Sequence, residues 1–277
     1  MSRDRSIEGK VVAITGAARG IGYATAAHLL SQGARVAIGD IDAAAVRSAA
    51  TSLARGVVAL QVDVSNDESV AAFIAAAEDA LGTLDILINN AGIMPIGHFL
   101  EQSQELQRRT FDINVYGVLN GMRAALPGMI ERGSGHIINV ASSAGKAPVP
   151  GGLVYGATKA AVASLTDTAR IEFAGDNIDF TSILPAFTNT DLIAGTKGLK
   201  GFKTVEPEDV AQAIADAISH PVPEKWVPGS LAGTAAIFGL IPYGVRDRIN
   251  RALGAYDAFL DVDQSARKVY DDRITQH

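Results

Sequence analysis

The chain has 277 residues, of which 48% are apolar and 19% charged, with a formal charge of −6 and no cysteine. That length suits one large α/β domain or two small ones, and the composition is that of a globular enzyme rather than a disordered or fibrous chain. The acidic balance, without a basic tract, argues against a nucleic-acid surface, and the lack of cysteine excludes disulfides and thiolate metal sites.

The first ten residues are polar, without the apolar core of a signal peptide, so a cytoplasmic location is expected. From residue 11 onward, short β-rich apolar runs at 11–15, 35–39, 57–62, 86–89, 136–141 and 179–184 are followed by a weaker seventh at 225–227. Between them lie segments of helical spacing at 21–32, 43–53, 67–81, 155–174 and 207–218, with an interrupted one over 101–131. Strict alternation predicts a seven-stranded parallel sheet with helices on both faces, a doubly wound α/β Rossmann fold in three layers, α/β/α. This pattern fills residues 1–230, and residues 231–277 read as a helical extension of the same domain. Its apolar stretch at 231–242 is too short to span a bilayer. Beyond it, Val245, Ile249, Leu253 and Tyr256 recur at helical spacing, with Arg246, Arg248 and Arg251 elsewhere on the wheel, which predicts a helix over 243–260.

The run Val11-Val12-Ala13-Ile14-Thr15 leads into Gly16-Ala-Ala-Arg19-Gly20-Ile21-Gly22 and then a helical segment. Strand, glycine turn and helix start in that order make an anion site, because unpaired N–H groups and the helix dipole both face the turn. The context fits the pyrophosphate of a dinucleotide. Asp40, at the end of the second strand, can accept hydrogen bonds from an adenosine ribose and would repel a 2′-phosphate, which favours NAD over NADP. Arg19 is the opposing signal, a cation able to meet that phosphate, and Asp40 also reads as a helix-start residue before Asp42. Asp63-Val64 and Asn89-Asn90-Ala91-Gly92 follow the third and fourth strands and are placed to meet the adenine and its ribose, or else are turns.

Tyr155 and Lys159 are four residues apart, one turn along a helix. A nearby ammonium favours the phenolate, so the pair can act as a base, although the same spacing occurs on surface helices.

Taken together, Thr15-Gly16-x3-Gly20-Ile21-Gly22, Asp63-Val64, Asn89-Asn90-Ala91-Gly92, Ile113-Asn114-Val115-x-Gly117, Asn139-Val140-Ala141-Ser142-Ser143-x-Gly145 and Tyr155-x3-Lys159 resemble the short-chain dehydrogenase/reductase family in its compact form, over roughly residues 7–228. The resemblance implies hydride transfer between NAD(H) and a secondary alcohol or ketone, without a metal. It implies that Tyr155 is the general acid/base and that Lys159 lowers its pKa and holds the nicotinamide ribose. Ser142 would bind the substrate oxygen, and Asn114 would hold a water for proton relay. The spacing of thirteen residues to Tyr155 selects Ser142 over Ser143. Pro185, Thr188 and Thr190 would orient the nicotinamide carboxamide, with Ala186 standing where the family usually has glycine. Alternatives are an NADPH-dependent carbonyl reductase and a catalytically silent dinucleotide sensor.

The resemblance also assigns the substrate pocket to residues 146–154, 191–202 and the region after Pro228. Ala147, Pro148, Val149, Pro150, Leu153, Leu192, Ile193, Leu199 and Phe202 make an apolar pocket the expectation, suited to a hydrophobic alcohol or ketone; the same residues also read as packing of a mobile lid. The C-terminal helix would pack on the core or another subunit, or touch a membrane surface. A homodimer or homotetramer, formed through the helix beginning near Tyr155, is expected by analogy.

Overall fold

The structure is a computed structural model that describes residues 6–53, 56–198 and 203–276. Its seven strands are β1 (Val11–Thr15), β2 (Arg35–Asp40), β3 (Val58–Gln61), β4 (Ile86–Asn89), β5 (Gly135–Val140), β6 (Ile178–Pro185) and β7 (Glu224–Val227). All neighbouring pairs are parallel, in the order β3-β2-β1-β4-β5-β6-β7. The order reverses between β1 and β4, and such a reversal opens a crevice at the carboxyl ends of the strands.

The sheet is covered on both faces because its strands are apolar on both. Ala13, Ala37, Leu87, Ile137 and Phe180 point one way, against Phe73 of α3 (Asp67–Leu81), Met122 of α5 (Gly117–Glu131) and Val162 of α6 (Leu153–Glu172). Ile14, Ile38, Ile88, Ile138 and Ile183 point the other way, against Leu29 of α1 (Gly20–Ser31), Val46 of α2 (Ala43–Leu53) and Ile214 of α7 (Pro207–Ser219). This alternation in continuously apolar strands is the signature of a sheet buried between two helical layers. The predicted doubly wound three-layer fold is the one observed.

The interrupted segment at 101–131 resolves into α4 (Gln104–Phe111), a π-helical turn over Asp112–Tyr116, and α5. The tail departs from expectation. In place of one helix over 243–260 it forms α8 (Leu231–Leu240), α9 (Tyr243–Ala252) and α10 (Gln264–Gln276). The helix ends early because Gly254 takes a φ of 74°, the left-handed conformation that terminates helices. Tyr256 therefore leaves the predicted stripe, Val245 is exposed, and only Ile249 and Leu253 of that stripe face the crevice. Among the described residues no helix is long and apolar enough to cross a membrane.

Candidate active site

The crevice is a cleft of about 1070 Å³ running from the glycine turn to the C-terminal helices. Its lining brings together Gly16, Arg19, Gly20, Ile21, Asp40, Asp63, Val64, Asn90, Ala91, Gly92, Ser142, Tyr155, Lys159, Pro185, Thr188 and Thr190. Gly22 and Asn114 are buried and are not part of that lining.

At the nucleotide end, α1 begins at Gly20 with no side chain capping its first N–H groups, so they face the cleft. Gly16 has a φ of 63°, and a Cβ there would lie 2.6 Å from Ala91 Cα; a Cβ at Gly22 would lie 2.5 Å from the Gly16 carbonyl oxygen. The turn is thus pressed against its surroundings with no room for a methyl group. Asn90 locks it, its amide donating to the carbonyls of Thr15 and Gly16 at 2.9 Å each. Asn90 is therefore a brace for the turn, and Thr15 Oγ1, which accepts from Asn90 and Ala91 N–H, is a second one.

The Asp40 carboxylate accepts Ala18 N–H at 3.1 Å and Asp42 N–H at 3.2 Å, which holds it beside the turn. The helix-start role belongs to Asp42, which accepts the N–H groups of Ala44 and Ala45. Arg19, the opposing cation, is paired with Asp42 at 3.2 Å. The Ala45 N–H bond, helped by Arg19, holds the Asp42 carboxyl below the usual range. Asp63 spends one oxygen on the N–H and hydroxyl of Ser65, the turn-forming use, and still faces the cleft. This arrangement fits a nicotinamide dinucleotide: a glycine cradle with no room for a Cβ at Gly16 or Gly22, uncapped helix N–H groups, and a carboxylate where an adenosine ribose would lie.

At the other end, β5 runs into Ser142, which is 8% exposed, whereas Ser143 begins a 3₁₀ turn and is less buried. Tyr155 and Lys159 share one face of α6 and are both buried. Lys159 Nζ donates to the Val140 carbonyl at 2.8 Å and lies 5.9 Å from the centre of the Tyr155 ring. Burial pushes the lysine down to about 8. Burial also pushes the phenol above its ordinary value, with the Ser142 hydroxyl acting in the opposite direction. In the protein alone, the expected lowering of Tyr155 by Lys159 is not what results: removal from water raises the phenol and lowers the ammonium.

Asn114, fully buried on the π-helical turn, donates to the Ile93 carbonyl at 2.9 Å and to Thr158 Oγ1 at 3.0 Å, and accepts Ile93 N–H at 2.8 Å. Its side chain thereby ties α6 to the segment after β4. Ala186 carries an ordinary negative φ, so the alanine sits without strain where glycine was the expected residue. Thr188 is buried, and Thr190 donates its N–H to the Thr188 carbonyl at 2.8 Å.

The cleft beside Tyr155 carries an apolar cluster. Met94, Tyr155, Ala258 and Phe259 form a small cluster of their own, packed by Val149, Phe187, Leu192 and Ile193. Ala147, Val149, Leu192 and Ile193 line the cleft as expected, but Leu153 points to solvent at 58% exposure. Leu199 and Phe202 lie outside the described residues. Met94 and Phe187 join the lining from outside the expected segments, and the expected region after Pro228 adds Phe259, Tyr270 and Ile274 among others. The last three come from the tail, where Asp263, accepting the N–H groups of Ser265 and Ala266, gave an overlooked start signal for α10.

A family model described as short chain dehydrogenase matches residues 10–198. An uncharacterized oxidoreductase of Staphylococcus aureus is 35% identical over 213 residues, covering 76% of this chain and 92% of that protein. The glycine betaine reductase of Emericella nidulans is 34% identical over 227 residues and the probable oxidoreductase EphD of Mycobacterium tuberculosis 34% over 259. These matches cover 78% and 85% of this chain but only 18% and 44% of those longer proteins. Among solved structures, a 3-ketoacyl-(acyl-carrier-protein) reductase from Brucella melitensis complexed with NADH superimposes with a TM-score of 0.74 at 30% identity, covering 80% of this chain and 98% of that one. A short chain dehydrogenase/reductase from Burkholderia phymatum in complex with NAD gives 0.77 at 29%, covering 84% and 93%. With its fold, its glycine cradle and these matches, the chain belongs to the short-chain dehydrogenase/reductase family of oxidoreductases.

Proposed function

We propose that the protein interconverts a hydrophobic secondary alcohol and its ketone with NAD(H). The observation that carries the reading is the placement of the buried Tyr155 phenol, with Ser142 beside it and apolar walls around it, in the same cleft as the glycine turn and Asp40. The chemistry the dinucleotide supplies when bound is acceptance of a hydride from the alcohol carbon, or its return to the ketone. Tyr155 takes the hydroxyl proton in oxidation and gives it back in reduction. Ser142 hydrogen-bonds the substrate oxygen as charge develops there. Lys159 holds the nicotinamide ribose, and its charge, together with that of the oxidised ring, favours the phenolate that burial alone disfavours. Asn114 fixes the segment after β4, and a water on its turn relays the proton to solvent.

Two NAD-type complexes among the similar structures and the Arg19–Asp42 pair both support NAD over NADP. A cation already neutralised by a neighbouring carboxylate is a weak phosphate ligand. The test is a screen of hydrophobic secondary alcohols with NAD, followed by the absorbance of the reduced cofactor. Turnover of such an alcohol supports the reading. NADPH binding equal to or tighter than NADH binding would replace it with the carbonyl-reductase alternative, and dinucleotide binding without any turnover would favour a silent sensor.

A further inference from the structure

The largest fully buried side chain among the described residues is Arg267 of α10, at 1% exposure. Nothing in the reaction above uses it. A buried cation is tolerated only where its donors are matched, so the identity of its partners matters. Its guanidinium donates to the carbonyl of Leu192 at 2.9 Å, to that of Ala194 at 3.3 Å and, closely, to that of Met94. Asp271 faces its Nε at 3.0 Å. Three residues further along the same helix, Tyr270 Oη accepts Met94 N–H at 2.7 Å, and its ring lies 4.7 Å from the guanidinium carbon.

Both main-chain groups of Met94 are therefore held by α10. The segment after β6, through Leu192 and Ala194, is held by the same guanidinium. Met94 and Tyr155 belong to the same small apolar cluster, and Leu192 packs against that cluster. A planar fork with donors on two sides can bridge two chain segments in a way that the single ammonium of lysine does not.

We propose that Arg267 is a positioning residue and Tyr270 a specificity-determining wall: by tying the segment after β4 to the segment after β6, they set the shape of the alcohol pocket beside Tyr155. The inference rests on the alcohol and ketone reading, so its test has a readout that needs no turnover.

In the full-length protein, amide hydrogen exchange is followed at residues 93–95 and 192–196 in wild type, Arg267→Met, Arg267→Lys and Tyr270→Phe, alongside NADH titration. Exchange in both segments is expected to rise about tenfold or more in Arg267→Met, with a smaller rise in Arg267→Lys and a rise confined to Met94 in Tyr270→Phe. NADH affinity is expected to stay within about twofold of wild type, because the glycine turn is not involved. With 1-phenylethanol and 2-octanol as probes, KM should rise about tenfold while kcat and its pH profile change little. Where Arg267→Met does not fold, Arg267→Lys and Tyr270→Phe carry the test. Unchanged exchange in both segments of the Arg267 variants would overturn the proposal. So would a loss confined to kcat, or a loss of NADH binding in every variant. Should the wild type oxidise neither alcohol while exchange responds as expected, the reaction reading fails and the clamp stands.

Discussion

Lys159 donates its ammonium to the carbonyl of Val140, 2.8 Å away, at the end of the strand that delivers Ser142 to the cleft. The bond fixes the lysine against the sheet end and sets α6, and with it Tyr155, at a definite height above β5. It also leaves a charged group almost wholly removed from water.

That burial has a pH signature. The Lys159 pKa in the folded protein, about 8, lies below its ordinary 10.5. Between those values the unfolded chain holds a proton that the folded one lacks, so the stability contribution is complete above pH 10.5 and is lost as pH falls through about 8. Measured by denaturant unfolding, the stability of wild type relative to Lys159→Met should rise by about 3 kcal/mol over that window, at about 1.4 kcal/mol per pKa unit. A flat difference would show that the lysine is not desolvated.

Tyr155→Phe removes only the transferable proton. Turnover of any accepted alcohol should fall by about 10² to 10⁴. NADH binding, measured by fluorescence titration, should be unaltered. A variant that retains appreciable turnover contradicts the acid/base role.

Asp40→Asn keeps the shape of the side chain and an acceptor for one of its two backbone bonds while removing the charge. The preference for NADH over NADPH should narrow by about tenfold in the ratio of dissociation constants, about 1.4 kcal/mol. Competitive titration of the two cofactors reads this directly, and an unchanged ratio would mean that discrimination lies elsewhere.

Gly22→Ala would place a methyl group 2.5 Å from the Gly16 carbonyl oxygen and 2.7 Å from Asn90 Nδ2. Both contacts are with parts of the braced turn, which has no direction in which to yield. The variant should lose about 1–3 kcal/mol of stability and bind NADH weakly. Gly233→Ala, whose Cβ would meet nothing within 4 Å, is the control and should retain binding in the same thermal and titration measurements.

Much of this was legible in the chain itself. The alternation of apolar runs and helical segments dictates the doubly wound sheet, because only a parallel sheet buried on both faces accommodates strands that are apolar on both. Tyr155 and Lys159 four apart must share a helix face, and Gly16, Gly20 and Gly22 after a strand must form an open turn. The tail was less legible because a periodic stripe does not reveal where a helix stops. Val245, Ile249, Leu253 and Tyr256 kept their spacing through a glycine that ends the helix.

The order of amino acids already carries the identity and succession of the groups that meet at the cleft: a glycine cradle, the Asp40 carboxylate, Ser142 and the tyrosine–lysine pair. Their electrostatics and their neighbours follow from packing. Burial turned the expected lowering of the phenol into a rise, and Arg19 was found already paired. Tyr270 lines the cleft, and it and the buried Arg267 meet Met94 across 176 and 173 residues of chain. Periodicity and motif spacing encode contacts within one element or across one turn. Contacts of that separation, and the desolvation they cause, exist only once the helices have packed.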